Sequence, residues 1–338
     1  MRAVVIESPR RVQIAETPRP EAAPGQIIVQ VHACGVCGTD VHIYRGEYLG
    51  GYPVIPGHEF AGEVVEVGEG VTEFEHGDRV AVEPNLSCGH CRFCGINEQN
   101  FCENWTAIGV TLPGAMAEYV AVPVSAAFDI GGLDYETAAF MEPLSCVLHG
   151  MQKLDVRYGE SALILGAGPI GLLLAQVARD CGAARIVMAD RIASRLARAR
   201  ELVADDAVDT SNGFEPAVAA GPDGYDAVID ATGAPAVMEQ TVALARHGGR
   251  ILWFGVAPND AVASIKPFDI FRKGLHVYSS YTSLRNSVLA LDLLWGGRVD
   301  VSGLVSHRLP LDRFEDAVEL LASPEGAMKI QLQPGAKR

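Results

Sequence analysis

A glycine-rich turn joins an apolar strand to an apolar helix near the middle of this 338-residue chain. The turn carries the pattern Gly166-x-Gly168-x-x-Gly171, with Pro169 inside it; it follows the strand ALIL and opens the helix IGLLLAQVARD. In that context the backbone amides and the helix N-terminus can bind a dinucleotide pyrophosphate. The segment therefore predicts a Rossmann unit that binds a coenzyme.

Asp190 ends the next predicted strand, at the spacing where a carboxylate can bind the ribose hydroxyls. A carboxylate there repels a 2′-phosphate and so favours NAD. Arg191 and Arg195 leave room for NADP, because a nearby Arg can accommodate the extra phosphate. The alternative role for Asp190 is to cap the helix that follows.

The pattern of apolar residues and turn residues divides the chain into two kinds of structure. Up to about Glu83, short β-branched runs such as IIVQVHAC alternate with Pro and Gly turns, which indicates a β-rich domain. From about Ser161, unbroken apolar strands alternate with helical segments, which predicts a parallel, doubly wound sheet. The segment after about Tyr281 can close the first domain or extend the second. A chain of this length is expected to form two domains.

Four cysteines occur at the spacing Cys88-x2-Cys91-x2-Cys94-x7-Cys102. Four thiolates so placed can close a tetrahedron around one zinc ion and leave no open position, so we expect a structural zinc. An iron–sulfur cluster also uses four cysteines, but nothing else in the sequence indicates electron transfer.

A second candidate metal site is spread over two segments, with Cys37 in GVCGTDVH and His58-Glu59 in PGHEFAGEV. A thiolate, an imidazole and a carboxylate can supply three ligands and leave a fourth position open, as in catalytic zinc sites. Two alternatives remain: the His-Glu pair can be a surface feature, and Cys34-x2-Cys37 can be a redox pair. No thioredoxin-like βαβ unit surrounds that cysteine pair.

Charge and composition limit the partners and the location of the protein. The formal net charge is −15 and Lys and Arg do not cluster, which excludes nucleic acid and anionic membrane surfaces as expected partners. The N-terminus lacks the pattern of a signal peptide, and no run approaches the ~18 apolar residues of a membrane span. We therefore expect a cytoplasmic protein whose eight cysteines stay reduced.

Taken together, these segments resemble the zinc-containing medium-chain alcohol dehydrogenases along nearly the whole chain, and most closely the polyol (sorbitol or arabinitol type) and threonine dehydrogenase branches. The resemblance is carried by GVCGTDVH, PGHEFAGEVVEVG, EHGDRVAVEP, the four-cysteine loop, MEPLSCVLHG and LILGAGPIGLLLAQVA. It implies an α/β fold with a GroES-like, β-rich catalytic domain over 1–147, completed by 283–338, and a Rossmann NAD-binding domain over 148–282. It also implies a homodimer or homotetramer.

The resemblance assigns roles to the candidate metal ligands. Cys37 and His58 match the catalytic zinc ligands, and Glu59 matches the carboxylate ligand of the polyol branch. Glu142, in MEPLS, falls where simple alcohol dehydrogenases have a second ligating cysteine. Glutamate at this position implies either a water molecule among the ligands of the catalytic zinc or an exchange of Glu59 and Glu142 as its carboxylate ligand. The alternative for Glu142 is a charge at a helix N-terminus.

Thr39 and His42 match the proton relay of the family. The resemblance implies that zinc lowers the pKa of the substrate hydroxyl and that these two residues carry its proton to solvent, while hydride passes to the nicotinamide. Without that context, Thr39 is expected to be a backbone cap and His42 a surface residue.

Further residues match coenzyme contacts of the family. Contacts to the dinucleotide are implied for Ile170, Asp190 and Arg195, and a nicotinamide lining for Gly255, Val256, Ser279, Ser280 and Tyr281. The alternative for the later group is ordinary packing at strand ends.

The sequence predicts an enzyme that oxidises a secondary alcohol, most readily a polyol or sugar alcohol, to a ketone with NAD. Alternatives within the class are a threonine-type amino alcohol and a simple alcohol or aldehyde as the substrate. Ser280 and Ile43 replace residues typical of sorbitol dehydrogenases, which argues against sorbitol itself. From another class, a noncatalytic dinucleotide-binding redox sensor would keep the fold but would not need the catalytic zinc site together with Thr39 and His42.

Overall fold

The β-branched runs of the first third of the chain form strands, as their period-two pattern predicts. The computed structural model describes residues 1–48, 51–323 and 327–335. Its contacts divide the chain into two units, one made of Met1–Ser145, Ser283–Gly297 and Val301–Arg338 and the other of Cys146–Thr282 and Arg298–Asp300. Below, the first is called the catalytic unit and the second the coenzyme unit.

Up to residue 154 the elements are, in chain order, β1 (Arg2–Ser8), β2 (Arg11–Glu16), β3 (Gln26–Val36), α1 (Gly38–Arg45), β4 (Glu59–Val67), β5 (Arg79–Val82), β6 (Asn85–Leu86), α2 (Arg92–Gly95), β7 (Thr106–Ala107), β8 (Tyr119–Pro123), β9 (Ala127–Asp129), α3 (Tyr135–Ala138) and α4 (Met141–Leu154). Short 3-10 turns occur at Gln99–Phe101, Val124–Ala126 and Leu311–Arg313.

The coenzyme unit then follows with β10 (Ser161–Leu165), α5 (Pro169–Asp180), β11 (Arg185–Asp190), α6 (Ala193–Leu202), β12 (Asp206–Asp209), α7 (Glu215–Ala220), β13 (Tyr225–Asp230), α8 (Pro235–Leu244), β14 (Ala245–Trp253), α9 (Pro267–Lys273) and β15 (His276–Ser279). The last elements are α10 (Ser287–Trp295), β16 (Val305–Leu309), α11 (Phe314–Ala322) and β17 (Lys329–Leu332).

The sheet of the coenzyme unit is parallel throughout the described part of the chain, in the order β12-β11-β10-β13-β14-β15. This order reverses beside β10, the strand that precedes the glycine-rich turn, as in other doubly wound dinucleotide-binding folds. Leu163, Val187, Val228 and Ile251 from four adjacent strands are buried in its core. The predicted doubly wound parallel sheet is confirmed.

The catalytic unit contains a mixed sheet in the order β16-β17-β3-β4-β5-β9, with β8 also paired to β3. β17 runs antiparallel to β3, with Ile330 opposite Val36. Ile330 and Leu332 share a buried core with Val29 and Phe60, so the end of the chain packs inside the unit that the N-terminal strands begin. The predicted β-rich unit, completed by the end of the chain, is confirmed.

Among the residues that the structure describes, the helices are all too short or too polar to cross a membrane.

Candidate metal and coenzyme sites

Cys88, Cys91, Cys94 and Cys102 bring their sulfur atoms together in one loop of the catalytic unit. The Sγ–Sγ distances are 3.5 Å for Cys91–Cys94, 3.9 Å for Cys91–Cys102 and 4.0 Å for Cys88–Cys94. We call this loop, residues 88–102, the cysteine lobe. Its four thiols have the number and spacing of the ligands of a closed tetrahedral zinc site.

Backbone amides in the lobe and just after it donate to its sulfur atoms. The amides of Cys88 and Asn104 donate to the Sγ of Cys102 over 3.3 and 3.4 Å. The backbone N–H of His90 lowers the pKa of the Cys88 thiol to about 6. Donors of this kind stabilise thiolates, the form that binds zinc.

The second predicted metal site is also assembled in the catalytic unit. Ligand atoms of Cys37, His58 and Glu59 all lie within 4.8 Å of one another, and both His58 and Glu59 are buried. Thiolate, imidazole and carboxylate are suitable zinc donors, and three of them leave a coordination position open. The donor set therefore fits a catalytic zinc; we call it the open site.

Local structure places these donors. Cys37 directly follows β3 and is the N-cap of α1, while the Asp40 carboxylate accepts a hydrogen bond of 2.8 Å from the Cys37 amide. The same carboxylate accepts from the Gly57 amide over 3.2 Å. Gly57 has φ +100°, and a Cβ there would lie 2.7 Å from the amide nitrogen of Met116, so only glycine fits this turn. Asp40 thus joins the two segments that carry the donors.

Asp40 also faces His58, with Oδ1 3.5 Å from Nδ1 of the imidazole, at the long limit for a hydrogen bond. Burial alone would lower the pKa of His58, but the Asp40 carboxylate and the Cys37 side chain outweigh it and raise the pKa above its usual value. A carboxylate behind a metal-binding histidine fixes the ring orientation. Our sequence interpretation missed Asp40, although an acid three residues after an N-cap is a readable capping-box pattern.

A second residue that the sequence interpretation missed is Lys329, the first residue of β17, which forms an ion pair with Glu59. Both side chains are buried. Burial alone would lower the pKa of Lys329, but the Glu59 carboxylate and Cys37 outweigh it and raise that pKa, so the side chain stays charged. No local sequence signal distinguishes this lysine from one on any C-terminal strand.

Thr39 and His42 lie on α1, directly after Cys37. The Nδ1 of His42 is 2.8 Å from the Glu47 carboxylate, and the His42 side chain is 26 % exposed. The helix therefore carries one hydroxyl beside the open site and one imidazole that reaches solvent.

Glu142 lies in the first turn of α4 and is buried. It is close enough to Lys329 to interact electrostatically. Its carboxylate does not belong to the group formed by Cys37, His58 and Glu59. Both readings of Glu142, as an exchanging ligand and as a helix N-terminal charge, remain predictions.

The glycine-rich turn of the coenzyme unit has the geometry that its sequence predicts. Gly166 has φ +104°, Gly168 is the N-cap of α5, and the helix begins at Pro169. A Cβ at Gly171 would overlap the carbonyl oxygen of Gly166, so glycine is needed for helix and turn to pack. The free N-terminal amides of α5 therefore lie at the end of β10, where a pyrophosphate can bind.

The Asp190 carboxylate accepts one hydrogen bond from this turn and one from the start of α6. Oδ2 accepts from the Ala167 amide over 2.7 Å, and Oδ1 accepts from the Ile192 amide over 2.9 Å. The N-cap of α6 is Ile192, not Asp190. Arg195 lies in the first turn of α6, and its Nη1 is 3.7 Å from the position a Gly168 Cβ would occupy.

The predicted nicotinamide residues follow two neighbouring strands of the same sheet. Gly255 and Val256 come after β14, and the Gly255 amide donates to the Asp230 carbonyl over 2.9 Å. Ser279 ends β15, and Ser280 Oγ lies 3.4 Å from the Nδ1 of His149, which is buried. These segments share the carboxyl edge of the sheet, where ligands of such folds bind.

Comparison with known proteins supports both halves of this description. Residues 23–131 match the family model of the alcohol dehydrogenase GroES-like domain, and residues 169–295 match that of the zinc-binding dehydrogenases. D-altritol 5-dehydrogenase of Agrobacterium fabrum is 40% identical over 98% of this chain and 99% of its own. D-arabinitol dehydrogenase 1 of Uromyces fabae is 34% identical over 99% of this chain and 97% of its own.

A solved structure gives the same result. A crystal structure described as a zinc-binding dehydrogenase of Sinorhizobium meliloti 1021 bound to NADP has a TM-score of 0.94 and 37% identity, covering 98% of this chain and 99% of that one. The predicted zinc and NAD(P) cofactors and the predicted oxidoreductase class are confirmed at the level of the family. This chain belongs to the zinc-containing medium-chain alcohol dehydrogenases.

Proposed function

We propose that this enzyme oxidises a secondary hydroxyl of a polyol to a ketone, with NAD as the preferred coenzyme. The observation that carries the proposal is the open site, where Cys37, His58 and Glu59 converge in a buried position with ligand atoms within 4.8 Å of one another. The two polyol dehydrogenases that match the whole chain support the substrate class. Asp190, held against the glycine-rich turn, supports NAD.

When bound, the zinc supplies a Lewis acid that lowers the pKa of the substrate hydroxyl, and the dinucleotide accepts the hydride. Cys37, His58 and Glu59 would hold the metal, with Glu142 as an exchanging carboxylate. Thr39 would accept the hydroxyl proton at its side-chain oxygen while it gives up its own hydroxyl proton towards His42, and His42 would release a proton to solvent. Glu47 orients the His42 ring through its contact with Nδ1.

The coenzyme would occupy the carboxyl edge of the parallel sheet. The amides at the start of α5, with Pro169 and Ile170, face the pyrophosphate, and Asp190 binds the ribose hydroxyls. Arg191 and Arg195 lie on the adenosine side. The nicotinamide lining comes from Gly255, Val256, Ser279, Ser280 and Tyr281.

Two positions limit the identity of the polyol. Ser280 offers a neutral hydroxyl near the position where sorbitol dehydrogenases carry an arginine. Ile43 is buried in the hydrophobic core of the catalytic unit, so its side chain is not available to a substrate. We therefore expect recognition of a polyol that differs from sorbitol.

A turnover panel tests the proposal. We expect kcat/KM to be highest for polyols with vicinal hydroxyls, such as D-arabinitol and D-altritol, and higher with NAD than with NADP. L-threonine and simple secondary alcohols are the comparison substrates, and metal analysis should give two zinc ions per chain. Equal rates on monohydric alcohols would contradict the polyol assignment, and one zinc with no turnover would support the redox sensor instead.

We also infer a cytoplasmic homo-oligomer. In the coenzyme unit, α9 exposes Phe268 and Phe271, and it precedes β15, an edge strand of the sheet. Exposed aromatic side chains and an open strand edge in the same unit favour association with a second copy. None of the eight cysteines is in a disulfide, and thiolate zinc ligands are typical of a reducing compartment. Light scattering coupled to size-exclusion chromatography would give the subunit number.

A further inference from the structure

Glu83, which directly follows β5, accepts hydrogen bonds through both oxygens of its carboxylate. Oε1 accepts from the backbone and side-chain amides of Asn85 over 3.1 and 2.7 Å. Oε2 accepts from the hydroxyls of Ser283, Ser287 and Ser145 over 2.7, 2.9 and 3.5 Å. Hydrogen bonds to a charged group are among the stronger ones in proteins. The carboxylate is therefore the centre of a polar group of side chains, which we call the Glu83 cluster.

Two serines of the cluster stand where the chain passes between the two units. Ser145 is the last residue of the catalytic unit before the coenzyme unit begins at Cys146. Ser283 is the residue at which the chain first returns to the catalytic unit, directly after Thr282. The side chain of Asn286, the N-cap of α10, also donates to the Ser145 carbonyl over 3.3 Å. The point of departure and the point of return are thus tied together inside the catalytic unit.

The cysteine lobe reaches this cluster through Asn85. The indole N–H of Trp105 donates to Oδ1 of Asn85 over 3.1 Å, and the Trp105 amide donates to the Cys102 carbonyl over 3.0 Å. An indole N–H can only donate, so it fixes the orientation of the Asn85 amide. Nδ2 of that amide is then directed at the Glu83 carboxylate and at the Ser283 hydroxyl, which lie at 2.7 and 3.3 Å.

A second contact joins the lobe to residues 283–287, which we call the return segment. In the orientation that satisfies both ends of its amide, Gln99 of the lobe donates to the Asn97 carbonyl over 3.2 Å and accepts from Nε of Arg285 over 3.0 Å. Arg285 has φ +56°, a backbone conformation that is unfavourable for a residue with a long side chain. Such a conformation persists only where surrounding contacts hold it. The return segment therefore depends on its neighbours for its path.

The return segment lies two residues after the proposed nicotinamide lining of residues 279–281. A displacement of Ser283 is therefore transmitted along the backbone to that lining. We propose that Glu83 is a positioning residue that fixes the return segment, and that the cysteine lobe supports it through Trp105 and Asn85. An ordered lobe is then a condition for tight coenzyme binding. This inference rests on the nicotinamide lining given under the proposed function.

Glu83→Gln tests the proposal, because glutamine keeps the size of the side chain but has only one acceptor oxygen. We expect NADH to bind about 10-fold more weakly in isothermal titration calorimetry, the effect of one lost hydrogen bond to a charged group. Amide hydrogen exchange should become faster in a peptide that covers residues 279–287. The kcat at saturating coenzyme should change by less than about 2-fold, because only binding is weakened. A role in stability alone would lower Tm and leave the Kd of NADH unchanged.

Trp105→Phe tests the support from the lobe, because phenylalanine keeps an aromatic ring and removes the indole N–H. We expect NADH to bind about 3-fold more weakly, as for one lost neutral hydrogen bond. Trp295→Phe is the matched control, since it removes an indole N–H that donates to the Ile130 carbonyl over 2.9 Å at the other end of α10. It should leave the Kd unchanged. In the Glu83→Gln background, Trp105→Phe should have little further effect, because both changes act through one carboxylate.

The possible results separate this inference from the proposed function. An unchanged Kd and unchanged exchange at residues 279–287 in Glu83→Gln would overturn the inference and leave polyol oxidation intact. Equal losses of NADH affinity in Trp105→Phe and Trp295→Phe, or additive losses in the double variant, would overturn the link to the lobe. If circular dichroism shows that Glu83→Gln is unfolded, Ser283→Ala takes its place, with an expected loss of about 3-fold. A wild-type protein that binds NADH but oxidises no polyol would instead overturn the proposed function.

Discussion

The cysteine lobe takes all its donors from residues 88–102, whereas the open site takes its donors from the end of β3 and the start of β4 and receives a cation from β17. The lobe offers four sulfur atoms, and backbone amides donate to them. The open site offers three different donors, with Asp40 and Lys329 close behind them. The closed site therefore requires only one loop, whereas the open site requires several secondary-structure elements to supply and position its donors.

Cys37→Ser probes the largest expected difference between the two sites. It should lower kcat/KM by at least about 10³-fold, because the Lewis acid supplies several kcal/mol of transition-state stabilisation. The zinc content should fall from two to one per chain, as measured by elemental analysis. Unfolding should change little, and a loss of stability equal to that caused by breaking the lobe would contradict the division into two roles.

Cys94→Ser is the matched change in the lobe. We expect unfolding to become easier by about 3 kcal/mol, or roughly 5–10 °C in Tm, because the metal no longer staples the loop. Calorimetry measures the shift in Tm, and retention of the zinc in the open site provides the internal control. An inactive but equally stable variant would show that the lobe is not the structural site.

Asp40→Asn sharpens the comparison within the open site. Loss of the carboxylate behind His58 should weaken zinc binding there by about 10-fold to 100-fold, without a change in the lobe. Competition with a metal indicator measures both affinities on the same sample. An equal loss of zinc affinity at the open site and in the lobe would contradict this role for Asp40.

His42→Ala should give the smallest effect. We expect kcat to fall by about 10-fold, because water can replace an imidazole at the solvent end of a proton relay, at the low end for general acid–base groups. Both zinc ions should remain, which separates this variant from Cys37→Ser. Steady-state rates with saturating coenzyme give the measurement, and an unchanged kcat would remove His42 from the relay.

The cysteine lobe and the glycine-rich turn could be predicted from the sequence because their residues act over short spans. Cys88 to Cys102 form one loop, and Gly166 to Gly171 form one strand–helix junction, so spacing alone indicates the geometry. The parallel sheet could also be predicted, because each of its strands is a short, unbroken apolar run in the sequence.

Lys329 could not be predicted, because its partner Glu59 lies on a strand from the opposite end of the chain and the contact depends on the space over Gly35. Asp40 was readable as a helix cap, but its contact with His58 depends on where the turn at Gly57 brings β4. Glu142 shows that a local motif alone does not establish a metal ligand. Its place in MEPLS suggests a ligand, but the tertiary structure leaves it outside the group of three donors. Function at the open site therefore depends on tertiary contacts that spacing does not encode.

The insertion of β17 between β16 and β3 has a consequence for biosynthesis. A nascent chain can fold the cysteine lobe as soon as Cys102 has left the ribosome, and domains generally fold in the order in which they are synthesised. The ion pair of Glu59 cannot form until Lys329 has emerged, after the whole coenzyme unit. During translation the lobe can therefore acquire zinc early, whereas the open site acquires its final electrostatic environment only at the last strand.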